Sequence, residues 1–128
     1  MPEKRTIERA GKAKREGKRP TTQAGEFVRE EMEHIREGKH GARSTKQAIA
    51  IGLSKARRAG VKLSPPRKGQ ASVRTRKQAQ RDLARGRSGR KASPARSAAR
   101  KRALKREGRS AASRSALSRQ ARSAARKR

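Results

Sequence analysis

The sequence predicts a mostly α-helical protein: one small hairpin of two helices flanked by largely disordered basic arms, with a tail that becomes helical on binding a polyanion. Three observations predict it. Ile, Leu, Val, Met and Phe total 15 of 128 residues, and nine of them lie between Phe27 and Leu63. Within that window they recur at helical spacing. Outside it, the chain combines few large apolar residues with high net charge, the composition of a segment that cannot bury enough surface to order itself.

Residues 1–19 read as a basic, flexible arm, because Gly11 and Gly17 interrupt any long helix and a short helical turn around Ile7 and Ala10 would have no second apolar stripe to pack on. The hairpin domain spans 20–63. Its first helix is expected over Thr22 to Glu37, with Thr22 as cap, Val28, Met32 and Ile35 at i, i+4 and i+7, and Phe27 widening the stripe. Arg29, Glu30, Glu33, Arg36 and Glu37 fall on the opposite, solvent face, and Gly38 is placed as the stop. A connection through Arg43 leads to a second helix that opens on Ser44 and Gln47, the spacing of a capping box, and runs to about Ala59. Ile49, Leu53 and Ala56 form its stripe, Gly52 allows close approach of a partner, and Gly60 ends it so that Val61 and Leu63 fold back. So small a unit predicts self-association, a homodimer through the hairpin.

Pro65, Pro66 and Gly69 mark residues 64–70 as a linker. Residues 71–128 form a tail rich in Ser, Ala, Arg and Lys. Thr75 to Arg85 reads as a short exposed helix. Segments near Ala95 to Arg106 and Ser113 to Arg126 are expected to become helical once phosphate relieves their like-charge repulsion.

Charge points to the function. Forty Lys and Arg against ten Asp and Glu give a formal net charge of +30. Residues up to Ser64 carry 17 basic and 8 acidic groups, and the remainder 23 and 2, so the tail holds the larger excess. A polyanion neutralises such a density, and duplex DNA binds it by releasing counterions. The expected contacts are Arg74, Arg76, Lys77, Arg96, Arg100, Lys101, Arg102, Lys105, Arg106, Arg119, Arg122, Arg126, Lys127 and Arg128. Phe27 is the one aromatic residue, which argues against base-stacking platforms and favours the duplex backbone, with RNA a second polyanion that the same charge would hold.

Other chemistries are poorly provided for. Without cysteine there is no disulfide, thiolate zinc site or cysteine nucleophile, and no run of about 18 apolar residues spans a bilayer. Glu31 and His34 have the Glu-x-x-His spacing of bundle metal sites, but such sites draw further ligands from other helices. The protein is therefore expected to be no enzyme, to use no cofactor or metal, to leave membranes alone, and to reside in the cytoplasm on the nucleoid.

The segment Arg43 to Ala59, RSTKQAIAIGLSKARRA, preceded by Glu37-Gly38-Lys39, resembles a family of small, very basic bacterial proteins with a KQAIAIALS-like helix. That resemblance covers about a third of the chain and implies a histone-like, nucleoid-associated role. The expected function is DNA binding and compaction without sequence preference. The alternatives are a protein-interaction adaptor localised by its basic tails, and an RNA- or ribosome-associated protein.

Overall fold

The computed structural model describes residues 3–89 and 93–126. Six α-helices and one short 3-10 turn account for about 72% of the described residues, which overturns the expected two-helix hairpin with disordered arms. The helices are α1 (Lys4–Arg15), α2 (Pro20–Arg36), α3 (Thr45–Arg58), α4 (Val73–Ser88), α5 (Pro94–Lys105) and α6 (Arg114–Arg126), with the 3-10 turn at Ser110–Ala112 between the last two. No helix among the described residues is long and apolar enough to cross a membrane. The physical reason for the correction is alanine. Of the thirteen buried apolar residues among those described nine are alanines, small side chains that let helices approach closely and that a count of large apolar residues overlooks.

The chain divides into two compact units, Met1–Glu30 with Gly52–Lys91, and Glu31–Ile51 with Ala92–Arg128. In the first unit the N-terminal segment is a helix rather than an arm. Thr6, Ala10 and Ala13 lie at i, i+4 and i+7 and are buried, while Ile7 faces outward at 50% exposure. The start of α1 is served by α2: the backbone amide of Glu3 donates to Glu30 Oε1, so a buried carboxylate sits where the helix dipole favours negative charge. Glu30 thus belongs to the interior and not to the expected solvent face. Gly17, at φ 74°, ends α1. Pro20 opens α2 with its fixed φ, which places Thr22 inside the helix, its amide donating to Arg19 O at 3.0 Å, instead of at the cap.

Ala10, Ala24, Phe27, Ala56 and Val61 form the core of this unit, with Leu53 and Leu63 packed against it. A Cβ on Gly52 would lie 2.7 Å from Val28 Cα, so the expected close approach is made by α2 and α3. Gly60 ends α3 at φ 103°, and Val61 folds back as expected, its amide donating to Ala56 O at 3.0 Å. Arg57 holds the return: Nε donates to Leu63 O at 3.1 Å and Nη2 to Ser64 O at 3.0 Å. Burial lowers the Arg57 pKa from its ordinary value, with the Asp82 charge acting in the opposite direction.

The proline segment ends in a tight turn in which Arg67 N donates to Gln70 Oε1 and Gln70 N to Arg67 O, both at 3.0 Å, with Gly69 at φ 90°. From there α4 starts on Ser72, whose Oγ accepts from Thr75 N at 3.2 Å. It runs longer than the expected Thr75 to Arg85 and is partly buried, through Ala79 and Asp82.

In the second unit, α2 contributes Met32 and Ile35 and stops at Gly38, φ 79°, as the sequence predicts. The capping box of α3 is present in altered form. Ser44 Oγ accepts from Gln47 N at 3.1 Å, and Gln47 Oε1 accepts from Arg43 N at 2.6 Å, one residue before the cap. The tail is ordered here because it completes backbone groups of the α2–α3 connection. Gly41 N donates to Leu104 O at 2.8 Å and Ala42 N to Gly108 O at 3.0 Å, and Gly41 leaves no room for a Cβ against Glu107 O. The 3-10 turn buries Ala111 and Ala112, whose carbonyls accept from Thr45 Oγ1 at 2.5 Å and Arg36 Nε at 3.0 Å. Ser93 caps α5 with Pro94 as the first helical residue, so that Ser-Pro pair is a helix start.

Candidate nucleic-acid interface

Several cations have internal duties. Arg57 is 7% exposed and holds the chain after α3, which removes it from the cations available to a phosphate. Arg36 donates to Ala112 O, and Arg109 Nη1 to Arg36 O at 3.4 Å. Exposed acids take others: Lys18 with Glu16 at 3.2 Å, Lys39 with Glu37 at 3.3 Å. Ten acids set against forty bases leave most of the excess on the surface, and the units divide it as +17 and +13.

The most coherent cationic site lies in the second unit. An open cleft of about 420 Å³ is lined by Arg43, Ser44, Thr45 and Lys46 at the start of α3, by Ser110 and Ala111, and by Ala116, Arg119, Gln120 and Ser123 of α6. The first amides of α3 have no acceptor within their own helix, and the aligned peptide dipoles put partial positive charge at this end. Arg43, Lys46 and Arg119 are exposed around it. Three formal positive charges thus gather at a helix start, an arrangement suited to a phosphate group.

From Arg119 the site continues along α6. A second, shallow hollow of about 550 Å³ is lined by Arg119, Arg122, Ala125 and Arg126. At roughly 100° per residue, Arg119, Arg122 and Arg126 fall within about 60° of arc and form one stripe. Their backbone is set by Ser113, whose Oγ accepts from Ala116 N at 3.1 Å at the start of the helix.

The structure distributes the expected contact residues unevenly. Arg119, Arg122 and Arg126 are brought together. Arg96, Arg100, Lys101, Arg102 and Lys105 are exposed on α5, but helical geometry sets Arg96 and Arg100 on one face and Lys101, Arg102 and Lys105 around the other, so one ligand surface cannot meet all of them. Arg106 is the C-cap residue of that helix. Arg74 and Lys77 are exposed on α4 in the first unit, whereas Arg76 Nε donates to Pro66 O at 3.1 Å. Lys127 and Arg128 lie outside the described residues. Arg43 was not among the expected contacts. The signal for it was present in the cap at Ser44, since a helix start is an anion site whose flanking residues matter.

Comparison with known proteins bears on the chain's relationship and not on its ligand. No curated protein and no solved structure matches it. The model of one family, DUF6496, described as a family of unknown function, matches residues 4–69. That stretch runs from α1 through α3 to the turn at Gly69 and includes Arg43 and Lys46 but none of α6. Covering just over half of the 128 residues, the match shows that the chain belongs to DUF6496, a family of unknown function.

Proposed function

We propose that the protein binds the phosphate backbone of duplex DNA without sequence preference and compacts it, in a histone-like, nucleoid-associated role and not as an enzyme. The observation that carries this reading is the continuous cationic track from Arg43 and Lys46 at the α3 start, through Arg119, to Arg122 and Arg126. Phosphate contacts position a protein on a duplex without reading its sequence, and this track is made of groups that serve phosphate. Compaction is supported by the presence of a strong positive excess in each of the two units. The duplex is preferred over single strands because the one aromatic residue, Phe27, is buried and no base-stacking surface is offered.

The test is binding of a mixed-sequence duplex across a range of salt. Five phosphate contacts predict a log-log slope of about −4.5 or steeper, at about 0.9 per neutralised phosphate. The triple variant R119Q/R122Q/R126Q should flatten that slope by about 2.7. A slope near zero for the wild type sinks the proposal, and tighter binding of RNA than DNA at equal salt would move the function to RNA.

A further inference from the structure

The chain has two histidines, and the fold brings them together. His34 near the end of α2 and His40 in the connection to α3 have ring centroids 6.1 Å apart, with planes at 83°. One turn before His34 on the same helix is Glu31, 0% exposed, whose Oε2 lies 3.2 Å from His40 Nε2. The geometry points to a divalent transition-metal site of the zinc class at Glu31, His34 and His40.

The tautomer of His40 is the first support. Its Nδ1 is 2.9 Å from the carbonyl oxygen of Gly41, which can only accept, so the tautomer that makes this bond carries its hydrogen on Nδ1. A ligating histidine is commonly held this way, with one ring nitrogen donating to a carbonyl and the other left to bind metal. In that tautomer the neutral ring turns its Nε2 lone pair toward the Glu31 carboxylate. Two acceptors at that distance require a cation between them, either a proton or a metal ion.

Spacing and field agree. One ligand atom from each of the three residues lies within 4.8 Å of the others. Metal bonds of about 2.0–2.2 Å would place tetrahedral ligands about 3.4 Å apart, so the side chains need to close by up to about 1.4 Å. The site sits at the C-terminal end of α2, where the helix dipole favours a cation. Two imidazoles and one carboxylate suit zinc and its neighbours better than magnesium or calcium, which prefer oxygen donors.

The frame is built. Gly38 turns the chain back at φ 79°, and Gly41 is fixed by its bond to Leu104 O and its contact with Glu107 O. A bound ion would pin the α2–α3 connection to the end of α2. This role is independent of nucleic-acid binding.

The experiment uses full-length protein without a histidine tag, stripped with a chelator. Because every imidazole signal belongs to His34 or His40, zinc added to the wild type should shift both sets of ring resonances and saturate at one equivalent. Co2+ should give the visible absorption of a low-coordinate site. H34Q and H40Q should each weaken binding by at least about tenfold. Imidazole signals that stay in place under excess zinc overturn the proposal without recourse to any variant. So does an H34Q/H40Q double variant, helical by circular dichroism, that binds Co2+ as tightly as wild type.

Discussion

Ser54 Oγ donates to the Asp82 carboxylate at 2.7 Å, which ties α3, inside the family-matched segment, to α4 beyond it. Asp82 is 2% exposed, also accepts from Gln78 Nε2 at 3.1 Å, and lies 3.9 Å from Arg58 Nε. A buried carboxylate so arranged costs little when its partners are present and much when one side is removed.

Asp82→Ala should therefore lower unfolding stability by about 3 kcal/mol, since it removes the buried acceptor shared by Ser54 Oγ and Gln78 Nε2 and the negative charge beside Arg58. Asp82→Asn, which keeps an oxygen for Ser54, should cost about 1 kcal/mol. Urea titration followed by circular dichroism separates the two. Wild-type stability in Asp82→Ala would mean that α4 does not dock on α3 through this group.

Two glycines should respond in opposite directions to the same change. Gly52→Ala drives a Cβ to 2.7 Å from Val28 Cα, a backbone atom that cannot move without separating α2 from α3. A loss of about 1–3 kcal/mol is expected from such overpacking. Gly25, in α2, has nothing within 4 Å of its added Cβ, so Gly25→Ala should gain about 0.5–1 kcal/mol of helix stability. Equal effects at the two sites, by thermal melting, would contradict the α2–α3 contact.

An ordered tail has a direct consequence for the free protein. Far-ultraviolet circular dichroism without any polyanion should show a predominantly helical chain, close to the 72% found among the described residues. Gly41→Ala should lower it, because the new Cβ would fall 2.0 Å from Glu107 O and break the pairing of the α2–α3 connection with the end of α5. Faster amide exchange in Leu104 to Ala112 locates the loss. Low helicity that rises only when DNA is added would restore the disordered tail.

The hairpin's second helix was legible because its signals are local. Ser44 and Gln47 mark its start and Gly60 its stop by side-chain and backbone chemistry within a few residues, and the structure keeps both. The outer helices were not, because what orders them is distant in sequence and small in side chain. Ala10, Ala13, Ala79, Ala111 and Ala112 are all buried, yet alanine alone does not distinguish a packed face from a low-complexity tail. Charge misled in the same way. Split at Ser64 it is concentrated in the tail, but the units combine segments from both halves, and each is strongly basic. Arg119 could be picked out by type but not ranked above the α5 residues, since the cleft that selects it needs the start of α3, and Arg122 and Arg126 gain their place only by continuing from it along α6. His34 was visible as half of a spacing with Glu31, and His40 joins them only through the turn at Gly38.

That ranking separates a built interface from a diffuse cloud of charge. R43Q/K46Q and R96Q/R100Q each remove two exposed positive charges from the same unit, one pair at the cleft and the other on a face of α5. If net charge alone held the duplex, the two variants would lose affinity equally. If the α3 start and α6 form the contact surface, R43Q/K46Q should flatten the salt slope by about 1.8 while R96Q/R100Q changes it by much less. Both should behave alike on a second duplex of unrelated sequence, because phosphate contacts carry no base information. Fluorescence anisotropy at four or more salt concentrations measures each slope. Identical slopes for the two variants would leave a polycation that binds DNA and remove the cleft as its site.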